Sequence, residues 1–174
     1  MEPAALLSRA LDAFAGSYDI ALDAQVLSRR VDALAQLRAL NSKYVLSQKH
    51  VLWEANAFEH AIFLCVDTLT AEMVEDWFAF LTRQAEPELV HPGKPLPDEG
   101  HMYTYLTLIF LCNGVQKDAL QAIRRARFTK NYRFSLRGWA TGRLLAVDLS
   151  SGVMTANAAG RELKPLFARL LREA

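Results

Sequence analysis

The chain has 174 residues, of which 52% are hydrophobic and 22% charged, and its formal net charge is +1. This composition supplies enough apolar material for a packed core and excludes wholesale disorder. The near-zero net charge favours no class of partner, and two cysteines are too few for a disulfide framework.

The first predicted elements are a helix and a segment of ambiguous type. Leu7, Leu11 and Phe14 recur at helical spacing and predict a short helix over residues 4–15. In residues 31–40, alanine and leucine favour a helix, whereas the alternation of apolar side chains favours a strand. Both interpretations of this segment stay open at this point.

Two β-rich segments follow. Residues 44–53 and 58–66 are rich in β-branched and aromatic side chains and predict two strands, with a turn at Asn56. Because side chains alternate along a strand, the adjacent residues Glu59 and His60 are expected on opposite faces of the sheet.

A helix and a proline-rich loop are predicted next. Thr70 can cap a helix whose apolar residues repeat at spacings of three and four until about residue 84. Residues 85–100 contain four of the six prolines, so neither a helix nor a central strand is expected there. We predict a long loop within the domain, which is either merely mobile or a lid or contact loop.

The C-terminal half begins with a candidate for the central strand. Residues 102–112 are apolar on both faces, as expected of a strand that is buried on both sides. Asn113 can cap a helix that extends to about residue 127. Beyond it we predict short strands and a last helix, which Asn157 opens and Pro165 kinks or splits. The strands are expected at residues 132–136, 144–149 and 153–156.

The order of these elements indicates the fold class. Strands and helices interleave without strict βαβ repetition, which favours an α+β fold over a doubly wound sheet. We predict a single domain over residues 1–174, with a largely antiparallel five- or six-stranded sheet and helices packed on it. No signal peptide and no bilayer-spanning segment are apparent, so a cytoplasmic location without membrane contact is expected.

Few residues suggest catalysis. Phosphate-loop, dinucleotide, zinc and serine-nucleophile motifs are missing from the sequence, so no metal and no cofactor are predicted. A carboxylate and an imidazole within reach of each other could perform acid–base chemistry or hold a metal. Structural hydrogen bonding is the alternative role for the same residues. The candidates are Glu54, Glu59, His60 and His101.

Charge is distributed unevenly along the chain. Residues 54–99 carry a net charge of −8, whereas residues 117–143 carry +7 and contain four interleaved aromatic residues. Arginines beside exposed rings suit single-stranded nucleic acid or a phosphorylated ligand, because guanidinium neutralises phosphate and a ring stacks on a base. The alternative is that the basic segment is solvated or pairs with the acidic one. The predicted binding residues are Arg133, Arg137, Trp139 and Arg143.

Several segments resemble a bacterial protein family of unknown function. The resemblance extends from about Tyr18 onward and implies no activity. It does imply that residues 31–39 form a strand that follows another near residues 23–27, although small alanines and the lack of Asn-Gly at the turn depart from the family pattern. The resembling segments are residues 41–46, 58–60, 101–105, 132–139, 143–149 and 157–160.

Three functions are compatible with these patterns. The favoured hypothesis is a small binding module that contacts nucleic acid or a phosphate-bearing ligand through its basic and aromatic segment. The second is a metal-dependent hydrolase or nuclease that uses Glu54 or Glu59 with His60 or His101. The third is a protein-interaction or oligomerisation module, for which a homodimer is one form.

Overall fold

A mixed β-sheet forms the centre of the computed structural model, which describes residues 1–44 and 51–173, with side chains described outside residues 40–44 and 51–55. The sheet order is β1-β2-β3-β4-β6-β5, and β7 pairs with β6 on the same side as β5. The strands are β1 (Asp19–Val26), β2 (Arg29–Tyr44), β3 (Val51–Leu69), β4 (His101–Val115), β5 (Thr129–Asn131), β6 (Trp139–Asp148) and β7 (Val153–Ala156).

Helices cover both faces of this sheet. A π-helical turn, Leu81–Ala85, joins α2 to α3, and a 3-10 turn, Ala159–Leu163, precedes α5. Helices α2, α3 and α4 pack on one face and helices α1 and α5 on the other. The helices are α1 (Pro3–Phe14), α2 (Ala71–Phe80), α3 (Glu86–Val90), α4 (Lys117–Arg125) and α5 (Lys164–Arg172). None of those in the described ranges is long and apolar enough to cross a membrane.

Parallel pairing distinguishes the middle of the sheet from its edges. β3, β4 and β6 run parallel, whereas β1 and β2 at one edge and β5 and β7 at the other pair antiparallel. The predicted α+β class is confirmed, but the sheet has seven strands and its centre is not antiparallel. The reason is that α2, α3 and α4 carry the chain back across one face before the next strand, as parallel pairing requires.

The strand β4 has the central place that its apolar composition predicts. Residues 106–112 are all buried, because helices cover them on both faces of the sheet. The predicted cap at Asn113 is wrong, since β4 continues to Val115 and α4 begins only after Gln116. Thr70 does cap α2, and its hydroxyl accepts a hydrogen bond from the Met73 amide at 3.2 Å.

The ambiguous segment at residues 31–40 is a strand. It belongs to β2, which forms a hairpin with β1 around a turn where Leu27 has a φ of 51°. Ala33 and Ala35 are fully buried in the cluster that contains α1, so their small side chains let the helix approach the sheet. The predicted turn at Asn56 is wrong, because this residue lies within β3. The connection from β2 to β3 falls outside the described residues.

The proline-rich loop is shorter than predicted. The helical path continues through the π-helical turn and α3 as far as Val90, and only residues 91–100 lack helix and strand. Pro87 lies in the first turn of α3, directly after the π-helical turn. Pro165 similarly lies in the first turn of α5 and separates it from the preceding 3-10 turn, as predicted.

The predicted strand at residues 132–136 is wrong. Three successive residues there have left-handed backbone conformations, with φ of 51° at Arg133, 54° at Phe134 and 65° at Ser135. Strand geometry is therefore limited to β5 before this turn and to β6, which starts at Trp139 rather than near residue 144. Asn157 accepts hydrogen bonds from the Gly160 and Leu144 amides and so holds the start of the 3-10 turn.

Candidate functional site

Ion pairs join the acidic and basic segments of the chain. Each of the three pairs has one partner from residues 54–99 and one from residues 117–143, so part of the charge asymmetry is neutralised within the protein. The pairs are Glu59 with Arg143 at 3.1 Å, Glu86 with Lys130 at 2.8 Å and Glu99 with Arg137 at 2.9 Å.

The first pair belongs to a buried polar network on the face that α1 and α5 cover. Thr107 of β4 and Arg143 of β6 both donate to Oε1 of Glu59, at 2.7 and 3.1 Å. Tyr18 donates to Oε2 at 2.7 Å, and burial, followed by the carboxylate itself, raises the pKa of this tyrosine. Every oxygen of the buried Glu59 carboxylate is thus engaged by this chain's own donors.

Arg143 and Trp139, two predicted binding residues, lie on this same face. Arg143 is buried, donates to Glu162 at 3.3 Å and lies over the Tyr105 ring at 4.2 Å. Its Nε has no hydrogen-bond partner among the described residues. The half-buried Trp139 stacks on Tyr103, with ring centroids 5.7 Å apart. The charge of Arg143 is therefore balanced by two carboxylates, of which Glu59 is buried and Glu162 is exposed.

The predicted histidines lie on the opposite face of the sheet from Glu59. His60 lies on the face that α2 and α3 cover, and burial lowers its pKa to about 4. His101 stacks on Phe58, donates from Nδ1 to the Arg137 carbonyl at 2.7 Å and accepts from the Thr104 hydroxyl at 2.9 Å. Burial also lowers the pKa of His101, so both imidazoles are neutral near pH 7.

The structure does not bring Glu59 together with either histidine. The sheet separates Glu59 from both histidines, and the side chain of Glu54 lies outside the described side chains. Across residues 1–44 and 51–173, no group of three or more His, Cys, Asp or Glu side chains is placed to hold a metal ion.

Glu86 is a second buried carboxylate, which the sequence patterns did not indicate. Glu86 is only 2% exposed and accepts hydrogen bonds from the Tyr132 hydroxyl and from Lys130 Nζ. Burial and this carboxylate raise the pKa of Tyr132. The sequence does not single out Glu86, because the prolines around it predict a loop. Its position directly before Pro87, at a helix start, was the available signal.

A groove of about 530 Å³ separates α2 from α4 on the histidine face of the sheet. The lining residues of each helix repeat at spacings of three and four, so they form one row per helix. Four of them are alanines, whose small side chains leave the space between the helices open. The alanines are Ala71 and Ala79 of α2, Ala122 of α4 and Ala126 just after it.

The two ends of this α2–α4 groove carry opposite charge. Arg83, Arg125 and Arg127 line the end at which both helices finish, and all three are exposed. Within the described part of the chain, none of the three arginines forms an ion pair. Glu75 and Asp118 line the end at which the helices begin. In α4, where Asp118 lies in the first turn and Arg125 in the last, the helix dipole favours this distribution of charge.

A smaller pocket adjoins the basic end of the groove. It has a volume of about 140 Å³ and shares Ala126 and Arg127 with the α2–α4 groove. Thr129 and Thr141 also line this pocket. A Cβ at Gly142 would lie 3.0 Å from the Phe78 ring, so this glycine lets the ring pack down and form the floor between the two spaces.

The comparisons with known proteins identify a family without an activity. A family model described as a domain of unknown function, DUF8052, matches residues 2–169, which confirms the resemblance to a family of unknown function. No curated protein and no solved structure matches the chain.

Proposed function

The chain belongs to the DUF8052 family of unknown function, and we propose from its own geometry that it binds a small phosphate-bearing molecule in the α2–α4 groove. The observation that carries this proposal is the set of three exposed arginines at one end of the groove, which form no ion pair among the described residues. Guanidinium groups bind phosphate with charge-assisted, often bidentate hydrogen bonds.

The size and lining of the groove support a small ligand. Its volume of about 530 Å³ falls within the usual range of about 300–1,000 Å³ for small-molecule sites. Val74, Phe78 and the four alanines supply an apolar surface on which a ring or an alkyl portion of the ligand would pack. The phosphate would lie at the basic end, within reach of Arg125 and Arg127 and next to the adjoining pocket.

The local backbone also supports a site at this position. The π-helical turn after α2 carries Thr82 and Arg83, both of which line the groove. Such turns interrupt the regular helical ladder and occur frequently at functional sites. The hydroxyl of Thr82 donates to the Phe78 carbonyl at 2.8 Å, which also accepts from the Leu81 amide, so the Thr82 side chain is held against the helix.

The arginines predicted from the sequence contribute less to this proposal. Arg137 and Arg143 already have carboxylate partners at 2.9 and 3.1 Å. Releasing either arginine for a phosphate would leave its carboxylate without the cation, and in the case of Glu59 that carboxylate is buried. The proposal therefore keeps the anionic partner and moves its site from residues 133–143 to α2 and α4.

Isothermal titration calorimetry with two probes tests the proposal. Pyrophosphate presents the anion alone and ADP adds a ring, and EDTA in the buffer removes metal-mediated binding. We expect ADP to bind more tightly than pyrophosphate because the apolar floor contributes only to ADP. Binding of both should weaken as salt rises, since the exposed charges are screened.

Variants of neighbouring arginines provide the matched control. Arg125→Ala and Arg127→Ala should each weaken binding by about tenfold or more, the value of a hydrogen bond to a charged group. Arg124 lies next to Arg125 but does not line the groove, so Arg124→Ala should change the affinity by less than about twofold. Equal losses for all three variants, or tighter binding of single-stranded DNA than of ADP, would instead indicate a polyanion spread over the basic face.

A further inference from the structure

Two apolar side chains project from a rigid turn at one edge of the sheet. Phe134 is 97% exposed and Leu136 is 79% exposed, and both lie in residues 132–138, here called the Phe134 turn, between β5 and β6. Apolar side chains that are exposed together as a patch mark interaction sites. Whether these two side chains form a contact surface therefore depends on how firmly the turn holds them.

The backbone of the Phe134 turn is strained and held by buried groups. Three successive non-glycine residues are left-handed, a conformation that persists only where the surroundings enforce it and that concentrates at functional sites. Buried Tyr132 anchors one end through Glu86. At the other end His101 donates to the Arg137 carbonyl, and a Cβ at Gly138 would lie 2.7 Å from His101 Nδ1. The turn thus presents its apolar tip with little flexibility to lose on binding.

An apolar groove lies at the opposite edge of the same sheet. This α1–β1 groove has a volume of about 480 Å³ and is lined by Leu7 and Leu11 of α1 and by Ile20 and Leu22 of β1. Leu22 faces the same side as α1 and is still 64% exposed, so α1 does not fill the space beside the edge strand. The groove is larger than the combined side chains of a phenylalanine and a leucine.

We propose that the Phe134 turn of one copy of this chain inserts into the α1–β1 groove of a second copy. The turn follows β5 at one end of the strand order and the groove adjoins β1 at the other end, so one molecule cannot fill its own groove. The charges are complementary, because Arg133 is exposed on the turn and Asp12 on the groove. Among the described residues, neither of these two forms an ion pair.

The arrangement predicts the type of assembly. Each copy offers one turn and one groove at opposite edges, so the contact is heterologous and repeats from copy to copy. Two inserted side chains and one ion pair form a contact at the small end of the interface range, which is typical of weak association. The apparent mass should rise continuously with concentration instead of stopping at a dimer.

Light scattering after gel filtration and sedimentation velocity test the proposal on the full chain. Between about 10 µM and about 1 mM, the wild-type protein should increase in average mass. A turn variant, Phe134→Asn with Leu136→Ser, introduces polar residues that tolerate the local backbone. This variant should remain monomeric. A groove variant, Leu22→Glu, changes an exposed edge position and should also remain monomeric. Val153→Thr alters an exposed apolar residue outside both surfaces and should associate as the wild type does.

A mixing experiment separates this contact from the other possibilities. The turn variant keeps an intact groove and the groove variant keeps an intact turn, so their mixture should form a one-to-one heterodimer and nothing larger. Circular dichroism of each variant checks that it is folded. A wild-type protein that stays monomeric at about 1 mM overturns the proposal and leaves the turn to a different protein or a membrane surface. Failure of the two variants to form a heterodimer also overturns it.

Discussion

Glu59 of β3 and Arg143 of β6 lie 3.1 Å apart on one face of the sheet, although 84 residues separate them in the chain. The strand β4 lies between β3 and β6, and its Thr107 donates to the same carboxylate. A buried ion pair contributes little net stability, but removing one partner leaves an uncompensated charge. We infer that the pair fixes the relative register of the three parallel strands, because a shift of either outer strand would separate the charges.

Substitution of Arg143 tests this role. Arg143→Met should lower the free energy of unfolding by about 3–5 kcal/mol, because it leaves the Glu59 carboxylate buried without its cation. Adding Glu59→Gln to that variant should recover part of the loss, since the amide still accepts hydrogen bonds but carries no charge. Urea unfolding of the two single variants and the double variant measures the coupling. Strictly additive losses would show that the two residues do not act as a pair.

Acidification should destabilise the protein through His60. Burial lowers its pKa from 6.5 to about 4 in the folded state, so the unfolded chain takes up the proton first as the pH falls. The free energy of unfolding should therefore decrease between about pH 6.5 and about pH 4, by about 3 kcal/mol in total from this residue. The lowered pKa of His101 acts in the same direction.

His60→Leu isolates this contribution. The variant carries no titratable group at the position, so its stability should depend less steeply on pH over the same window. Urea unfolding at several pH values measures both slopes, and the carboxylates that titrate nearby affect wild type and variant alike. Parallel curves for the two proteins would mean that His60 is protonated as readily in the folded state as in the unfolded one.

The strain in the Phe134 turn can be measured without altering its apolar tip. Ser135 has a φ of 65°, and glycine adopts this conformation without the steric penalty of a Cβ. Ser135→Gly should therefore raise the free energy of unfolding by about 0.5–1 kcal/mol. Ser28 occupies an exposed turn without a positive φ, so Ser28→Gly should be neutral or destabilising. A loss of stability in Ser135→Gly would argue against a strained native turn.

Local sequence patterns predict those elements whose burial follows a regular pattern along the chain. β4 was recognisable because burial on both faces requires an uninterrupted apolar run, and α1 because only one of its faces is covered. Residues 31–40 are ambiguous because alanine favours a helix, but it also suits a strand on which a helix packs closely. The parallel pairing was not predictable, since it depends on which face the connecting helices cross.

The candidate sites depend more strongly on contacts that are distant in sequence. Arg143 looked available for a ligand because Glu59 and Glu162, its partners, lie on other elements. Arg125 and Arg127 belonged to the predicted basic segment, but nothing local shows that they face Arg83 across a groove. The alanines of α2 and α4 lie at helical spacing and are the sequence feature that could have indicated the groove.

Amide chemical-shift mapping of the isotopically labelled, unsubstituted protein with ADP in EDTA tests the α2–α4 groove most directly. We predict that saturable shifts concentrate in residues 79–83, at the end of α2 and in the π-helical turn, and in residues 121–129, at and after the end of α4. Shifts elsewhere should be smaller. This result would place the phosphate-bearing ligand between the two helices. Shifts that centre on residues 132–139, or that fail to saturate and stay scattered over the basic surface, would contradict the assignment of the site.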